Sequence, residues 1–172
     1  MTLSLMEQVG FDQAFMFAYS LRDRTHAAHR MQDDVPEAVK ARRLQQVIDT
    51  FSRTVLEKNQ REEPGRYHVV LVQGTSRRSL PEKPELVGLS DTNKRCILPD
   101  IPIRCSLHAQ EQVHAQKGDY VLVQVESAGR QTLQVNPICR TSLQEIGQIA
   151  SSKCIFDDID RFHNDTVSEQ WT

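Results

Sequence analysis

The apolar residues near the start of the chain are spaced mainly three and four apart and stop before Gly10. This spacing predicts an amphipathic helix with Gly10 as its C-cap. A helix seldom begins at a first residue that offers no capping side chain, so we expect the chain to start inside a structural element. The residues on the predicted apolar face are Leu3, Leu5, Met6 and Val9.

A nearly continuous apolar run follows, from Ala14 to Tyr19. Such a run is typical of a strand that is buried on both faces of a parallel sheet. Helix, turn and buried strand make one step of an α/β fold, and one step cannot bury itself. Residues 1–35 are therefore predicted to be the end of a larger α/β domain.

Arg22 follows the apolar run, at the position where α/β folds carry their ligand-binding loops. We predict that Arg22 lies on the substrate side of such a loop. The alternative is a structural ion pair with Asp23 or Asp33. Tyr19 is expected to pack in the core.

A long amphipathic helix is predicted next. Asp34 is placed to cap it, Pro36 suits its first turn, and Glu37 stands in capping-box position. The apolar stripe predicts a helix that runs to about Asn59. The Glu-Glu-Pro-Gly segment at residues 62–65 then breaks the pattern, so the linking helix is assigned to residues 36–63. The stripe consists of Leu44, Val47, Ile48, Phe51 and Val55.

From residue 64 to residue 141 the hydrophobic period becomes that of strands. Five short strands separated by turn signals predict a small antiparallel five-stranded β-barrel. Residues 99–116 are expected to form a long loop. Residues 142–172 are acidic and lack a sustained period, so a poorly ordered tail is predicted. The predicted strands are Tyr67–Val72, Leu86–Gly88, Cys96–Leu98, Tyr120–Val125 and Thr132–Cys139.

Composition and charge narrow the function classes. The net charge of −2 combines a mildly basic barrel segment with an acidic tail, which permits phosphate contacts without requiring them. No apolar stretch is long enough for a membrane helix, and the first residues carry no targeting signal. The four cysteines stand in no CxxC or CxxxCxxC pattern, so we expect reduced thiols and no metal site.

Several blocks of sequence resemble a known family. Phe15–Arg22, Asp33–Glu37 and Val39–Leu44 resemble the end of the catalytic domain in tRNA methylthiotransferases of the MiaB type. Val69–Arg78 and Gly118–Val125 resemble the TRAM domain, an OB-like barrel that follows it in that family. The resemblance implies that residues 1–35 end a radical-SAM barrel and that the β-barrel binds RNA.

The form of the segment His29–Met31 is closest to the animal mitochondrial branch of this family, which also bears a name as a regulatory-subunit-associated protein of a cyclin-dependent kinase. By resemblance, the intact enzyme makes 2-methylthio-N6-isopentenyladenosine beside the tRNA anticodon. It uses S-adenosylmethionine and two [4Fe–4S] clusters. The cysteine motifs that hold those clusters are absent here, so this chain is expected to bind no cofactor and to be inactive alone. The resemblance implies a mitochondrial location; otherwise the chain would be cytoplasmic.

The candidate RNA contacts are basic residues in the loops of the predicted barrel. Guanidinium groups bind phosphate in a bidentate manner, and loops of OB-like barrels are where single-stranded nucleic acid lies. Arg77 and Arg78 follow the first strand, Lys94 and Arg95 occupy a second turn, and Arg140 ends the last strand. The expected partner is the anticodon stem-loop of tRNA.

Two positions depart from the family pattern. Leu89 stands where TRAM domains usually carry an arginine, and Gln134 replaces the arginine of a Leu-Arg-Gly segment. Two alternatives to RNA binding therefore stay open. One is a protein-interaction module that regulates a kinase complex through its regulatory subunit, and the other is a non-functional truncation. Salt-dependent RNA binding would separate an RNA-binding function from the protein-interaction alternative. Protease resistance of residues 64–141 would separate both from a non-functional truncation.

Overall fold

The computed structural model describes residues 1–151, apart from the side chains of Ala27 and residues 148–151. Contacts divide these residues into two compact units. The first, the helical unit, comprises Met1–Arg66 with Val125–Leu133. The second, the barrel unit, contains Tyr67–Gln124 and continues from Gln134.

The helical unit begins with α1, Thr2–Val9, and continues with α2, His26–Arg30, and α3, Glu37–Glu62. The predicted C-cap of α1 is confirmed. Gly10 adopts a left-handed conformation at φ 64°, and its N–H donates to the carbonyl of Met6. Glycine favours this conformation because it has no Cβ.

Helix α3 matches its prediction closely, but its predicted cap is wrong. The N-cap position is Pro36, and no side chain bonds to the first-turn amides. The acidic side chains instead converge on Lys40, whose Nζ contacts Asp33 and lies 2.8 Å from Glu37 Oε1. Lys40 is buried, so its ammonium recruits carboxylates; Glu37 belonged to the predicted capping box, whereas the other partner is Asp33 and not the predicted cap Asp34.

The core of the helical unit lies between α1 and α3. Met6, Phe51 and Val55 are buried there, and Ala14, Met16 and Val47 pack against them. Asn59 extends the helix's contacts, since its Nδ2 donates to the carbonyl of Gly129 at 3.0 Å.

The prediction of a doubly buried strand at Ala14–Tyr19 is wrong for the described chain. Residues 11–22 contain no strand, and the side chains of Phe15 and Phe17 are 86% and 83% exposed. Tyr19, expected in the core, is 53% exposed. An extended segment needs a neighbouring strand to satisfy its backbone, and no strand among the described residues pairs with it.

The β-barrel contains the five predicted strands and two short additional ones. They form one sheet in the order β3-β2-β1-β6-β7-β4-β5, and a further pairing between β3 and β7 closes five of them into a barrel. The strands are β1 Tyr67–Thr75, β2 Glu85–Ser90, β3 Arg95–Pro99, β4 Ile103–Arg104, β5 Gln112–Val113, β6 Tyr120–Ala128 and β7 Thr132–Thr141.

The barrel is mixed rather than purely antiparallel, which corrects the prediction. β1 is antiparallel to both β2 and β6, and β2 is antiparallel to β3. The β6–β7 hairpin then makes β7 run in the same direction as β3, so the barrel closes on a parallel pair. β4 also runs parallel to β7, with Arg104 opposite Cys139. β4 and β5 lie within residues 99–116, where only a loop was predicted.

The barrel unit has a packed interior and a smaller apolar cluster outside it. Leu122 and Cys139 form this outer cluster with Leu107, and Ile146 packs against it. Strand β6 therefore contributes buried side chains on both faces, which explains its nearly continuous apolar sequence. The most buried interior side chains of the barrel unit are Val70, Val72, Cys96, Leu98, Val121, Val123 and Val135.

A fourth helix, α4, spans Leu143–Ser151. It begins with a reciprocal cap in which Glu145 N–H donates to Ser142 Oγ at 3.2 Å and Ser142 N–H donates to Glu145 Oε2 at 3.0 Å. The predicted disordered tail is wrong for α4, because this capping box starts a helix. Residues 152–172 lie outside the described residues. Within the described part of the chain, no helix is long and apolar enough to cross a membrane.

Candidate nucleic-acid interface

The candidate interface centres on the connection between β1 and β2. Arg77 and Arg78 are the two central residues of a tight turn, in which Ser79 N–H donates to the carbonyl of Ser76 at 3.0 Å. Ser76 Oγ also accepts the N–H of Arg78 at 3.3 Å. Ser76 is only 6% exposed, whereas both arginines are exposed. We call residues 76–79 the arginine turn.

The arginine turn is tied to the first residue of β2. Ser76 N–H donates to the carbonyl of Glu85 at 2.8 Å, and Glu85 N–H donates to Ser79 Oγ at 3.0 Å. A second turn lies between these contacts, where Lys83 N–H donates to the carbonyl of Leu80 at 3.0 Å. The connection is therefore held by hydrogen bonds at both ends, although it is on the surface.

Further basic residues lie at the same end of the barrel. Gly118 N–H donates to the carbonyl of Val72 at 2.9 Å, which places the turn containing Lys117 beside the last residues of β1. The β6–β7 hairpin brings Arg140 to this end, and Arg104 faces Cys139 on the neighbouring strand. We call this end of the barrel the basic end. Its members are Arg77, Arg78, Lys83, Arg104, Lys117 and Arg140.

Sequence reasoning missed Lys83, Lys117 and Arg104. Lys83 stands in the second turn of the β1–β2 connection and Lys117 in the turn before β6. Lys117 could have been found from the sequence by counting register back from the predicted β6 strand to β1. Arg104 could not, because β4 has only two residues and carries no periodic signal.

Lys94 and Arg95 lie at the other end of β2. They follow the turn Ser90–Asn93, and Arg95 pairs with Leu89. Because β2 has six residues, its two ends are separated by roughly 20 Å. The five predicted RNA contacts are therefore divided, with Arg77, Arg78 and Arg140 at one end and this pair at the other.

The charges of the arginine turn are available for a ligand. Within residues 1–151, neither Arg77 nor Arg78 makes an ion pair. Lys83 makes only a long contact, with its Nζ 3.7 Å from Glu85 Oε1. An unpaired exposed guanidinium has five donors that can bind a phosphate.

Arg22 lies in an irregular segment of the helical unit, and its carbonyl accepts a hydrogen bond from Thr25 Oγ1 at 2.9 Å. The structure does not place it at the end of a strand. Among residues 1–151, Arg22 forms neither of the alternative ion pairs, with Asp23 or with Asp33, and Asp33 contacts Lys40.

The helical unit contains a surface cavity of about 830 Å³ that sequence reasoning did not anticipate. Exposed apolar side chains form most of its wall, and the ammonium of Lys40 lies 5.8 Å from the ring centroid of Tyr19. The apolar run at Ala14–Tyr19 was the available signal, but it was interpreted as a buried strand. Lining residues include Leu5, Phe11, Phe15, Phe17, Met31 and Leu44.

The buried thiol of Cys139 is not reactive at neutral pH. The pKa of Cys139 is raised to about 11, mainly by burial and also by the nearby Glu145 carboxylate, while Arg104 partly opposes the shift. This thiol is therefore protonated near neutral pH, whereas metal ligation and nucleophilic attack need the thiolate. Within residues 1–151, no group of three or more potential ligands could hold a metal ion.

Comparisons with known proteins agree with the resemblance seen in the sequence. No protein-family model matches the chain. The human mitochondrial tRNA methylthiotransferase CDK5RAP1 is 42% identical over 144 residues, which are 84% of this chain and 23% of the human protein. A CDK5RAP1-like protein of Oryza sativa subsp. japonica is 36% identical over 152 residues, 88% of this chain and 25% of that protein.

A bacterial relative extends the comparison. The tRNA-2-methylthio-N(6)-dimethylallyladenosine synthase of Bacteroides thetaiotaomicron is 38% identical over 133 residues, which are 77% of this chain and 26% of that protein. The chain thus spans about a quarter of the length of the curated relatives that it matches. By its sequence the chain is a homologue of the C-terminal part of these much longer tRNA methylthiotransferases.

Proposed function

We propose that the chain is the tRNA-binding C-terminal portion of an enzyme that makes 2-methylthio-N6-isopentenyladenosine next to the anticodon. The exposed and unpaired arginines of the arginine turn carry this proposal. The names of the relatives support it, since they are tRNA methylthiotransferases from animals and bacteria. Those names also support a mitochondrial location for the protein.

The barrel contributes binding rather than catalysis in this proposal. Arg77 and Arg78 donate charge-assisted hydrogen bonds to phosphates of the anticodon stem-loop, and Arg140 and Lys117 extend the positive surface at the same end. Phosphate contacts release counterions from the RNA, so the affinity falls as the salt concentration rises.

The chemistry belongs to the remaining portion of the enzyme, which by family would supply two [4Fe–4S] clusters and S-adenosylmethionine. We propose that residues 1–35 complete that portion. The exposed Phe15 and Phe17 support this, because contiguous exposed apolar side chains mark a surface that another part of a protein covers. Arg22 then lies near the substrate side of the joined domain.

The first experiment measures binding of the purified chain to an anticodon stem-loop RNA at 50 and 200 mM salt. The double variant Arg77→Ala/Arg78→Ala is compared with Lys94→Ala/Arg95→Ala, which removes the same charge from the other end of β2. We expect salt-sensitive binding by the unmodified chain and at least tenfold loss in the first variant. Circular dichroism establishes that each variant is folded.

The outcomes separate the alternatives. Equal losses in both double variants would extend the interface to Lys94 and Arg95 as first predicted. No binding by the folded chain at 50 mM salt would refute the RNA role. The protein-interaction alternative, with a kinase regulatory subunit as partner, would then be tested in its place.

A further inference from the structure

Four hydrogen bonds hold the arginine turn, and two of them involve serine hydroxyls. Ser76 Oγ accepts the N–H of Arg78 at 3.3 Å, and Ser79 Oγ accepts the N–H of Glu85 at 3.0 Å. The other two are the backbone bonds from Ser79 to Ser76 and from Ser76 to Glu85. The serines therefore connect the backbone of the turn to itself and to β2.

Strand β1 also has an irregular backbone just before the arginine turn. The pairing of β1 with β2 shifts register between Val72 and Gly74, so one extra residue of β1 forms a β-bulge. Gly74 has φ 141°, a conformation that L side chains rarely adopt. A bulge bends its strand and changes the direction in which the following residues leave the sheet. Here the following residues are Thr75 and the arginine turn.

From these contacts we infer that Ser76 and Ser79 are positioning residues for RNA binding, and that they act by ordering Arg77 and Arg78 before the RNA arrives. This inference rests on the proposed function, because it concerns the same interface. Neither serine needs to contact RNA, and Ser76 is too buried to do so.

The physical effect is pre-organisation. An unconstrained loop must lose backbone freedom when its arginines bind phosphate, and that loss weakens binding by about tenfold per ordered residue. A turn that is already held by the two hydroxyls loses less freedom on binding. The number of phosphates contacted is unchanged, so the effect on affinity is separate from the effect on salt dependence.

The test uses the full chain and the anticodon stem-loop RNA, with affinity measured at four salt concentrations. We expect the double variant Ser76→Ala/Ser79→Ala to bind about tenfold more weakly at each concentration. Its slope of log affinity against log salt stays equal to that of the unmodified chain, because both arginines are still present. The variant Arg77→Ala/Arg78→Ala instead loses roughly one unit of slope for each lost phosphate contact.

Matched variants keep the inference falsifiable. Ser79→Thr retains a hydroxyl and should bind RNA with near-normal affinity, in contrast to Ser79→Ala. Ser127→Ala removes an exposed serine elsewhere in the chain and should leave the affinity unchanged. Unchanged affinity in the double serine variant, while the unmodified chain binds, overturns the inference and leaves the proposed function standing. A reduced salt slope also overturns it, since the arginine contacts themselves are then lost. Absence of RNA binding by the unmodified chain overturns both.

Discussion

Gly88 is the glycine of the described chain at which an added Cβ would make the closest contacts. A Cβ added there would lie 2.4 Å from Val70 Cγ1 and 2.5 Å from the carbonyl oxygen of Leu71. The second contact is with backbone, which cannot move without breaking the pairing of β1 with β2. The glycine in this segment is therefore required by the close approach of two strands.

Gly88→Ala is predicted to lower the free energy of unfolding by about 1–3 kcal/mol, the usual range for overpacking a core. Urea denaturation followed by circular dichroism measures this change. Gly147→Ala is the matched control, because a Cβ at Gly147 meets nothing within 4 Å and its helix favours alanine. Equal stability of the two variants would contradict the close strand approach.

Because of Cys139, the stability of the barrel should depend on pH in the alkaline range. Its pKa is raised from 9.0 to about 11 in the folded chain, so the unfolded chain loses this proton first as the pH rises. The free energy of unfolding should then fall between about pH 9 and about pH 11, by roughly 2 kcal/mol from this thiol. Stability below pH 9 is unaffected by it.

The measurement compares urea denaturation of the unmodified chain and Cys139→Ala at pH 8, 9, 10 and 11. Lysine and tyrosine titrate in the same range, and they contribute equally to both proteins. The difference between the two free energies of unfolding should therefore shrink as the pH rises. A difference that stays constant with pH would show that the folded thiol titrates normally.

At the level of elements, periodicity predicted the longer segments and failed on the shorter ones. Helix α3 and the five barrel strands have sustained patterns, and all were predicted near their observed positions. β4 and β5 have two residues each, too few for any period to register. The parallel closure between β3 and β7 also left no signal, because strand direction at a closure depends on the whole topology.

The candidate site was also predicted only in part, because only some of its residues lie next to strands with a sustained pattern. The loop position of Arg77 and Arg78 follows directly from where β1 ends, so the sequence was sufficient. Lys94 follows β2 whereas the two arginines precede it, so the length of that strand separates them. The apolar run at Ala14–Tyr19 was misread because an apolar sequence indicates that burial is favourable, but does not supply the strand that would provide it.

Helix α4 is an element whose stability can be tested through a buried thiol. Ile146 packs against the cluster that contains Cys139, and Ser142 and Glu145 cap the helix. Ser142→Ala should lower the stability of α4 by about 1 kcal/mol, because the helix loses its cap. Since α4 then opens more often, a thiol reagent should label Cys139 about fivefold faster. Ser142→Thr keeps the cap and should label at the normal rate.

Peptide mapping by mass spectrometry assigns the label to Cys139 rather than to the other cysteines. Equal labelling of the alanine and threonine variants would mean that α4 does not limit access to the thiol.

At the scale of the whole molecule, burial is unevenly distributed among similar side chains. Phe15 and Phe17 are 86% and 83% exposed, whereas Phe51 is 8% exposed in the core between α1 and α3. Their contributions to stability should therefore differ sharply although the residue type is the same. Contiguous exposed phenylalanines also promote self-association.

The double variant Phe15→Ser/Phe17→Ser is predicted to change the free energy of unfolding by less than about 0.5 kcal/mol and to reduce binding of a hydrophobic dye. Phe51→Ala should cost about 3–5 kcal/mol, because it removes a buried ring. Chemical denaturation and dye fluorescence measure both effects. A large loss of stability in the serine variant would show that the exposed rings are packed in solution.

The closure of the barrel has a consequence for how the chain is made. Strand β7 follows all the other barrel strands in sequence, yet it pairs with both β6 and β3. A ribosome releases the N-terminal strands first. Until Thr132–Thr141 has left the exit tunnel, β3 and β6 keep unpaired edges that can join other nascent chains. If translation pauses before Thr132, the nascent chain would therefore most need a chaperone at that stage.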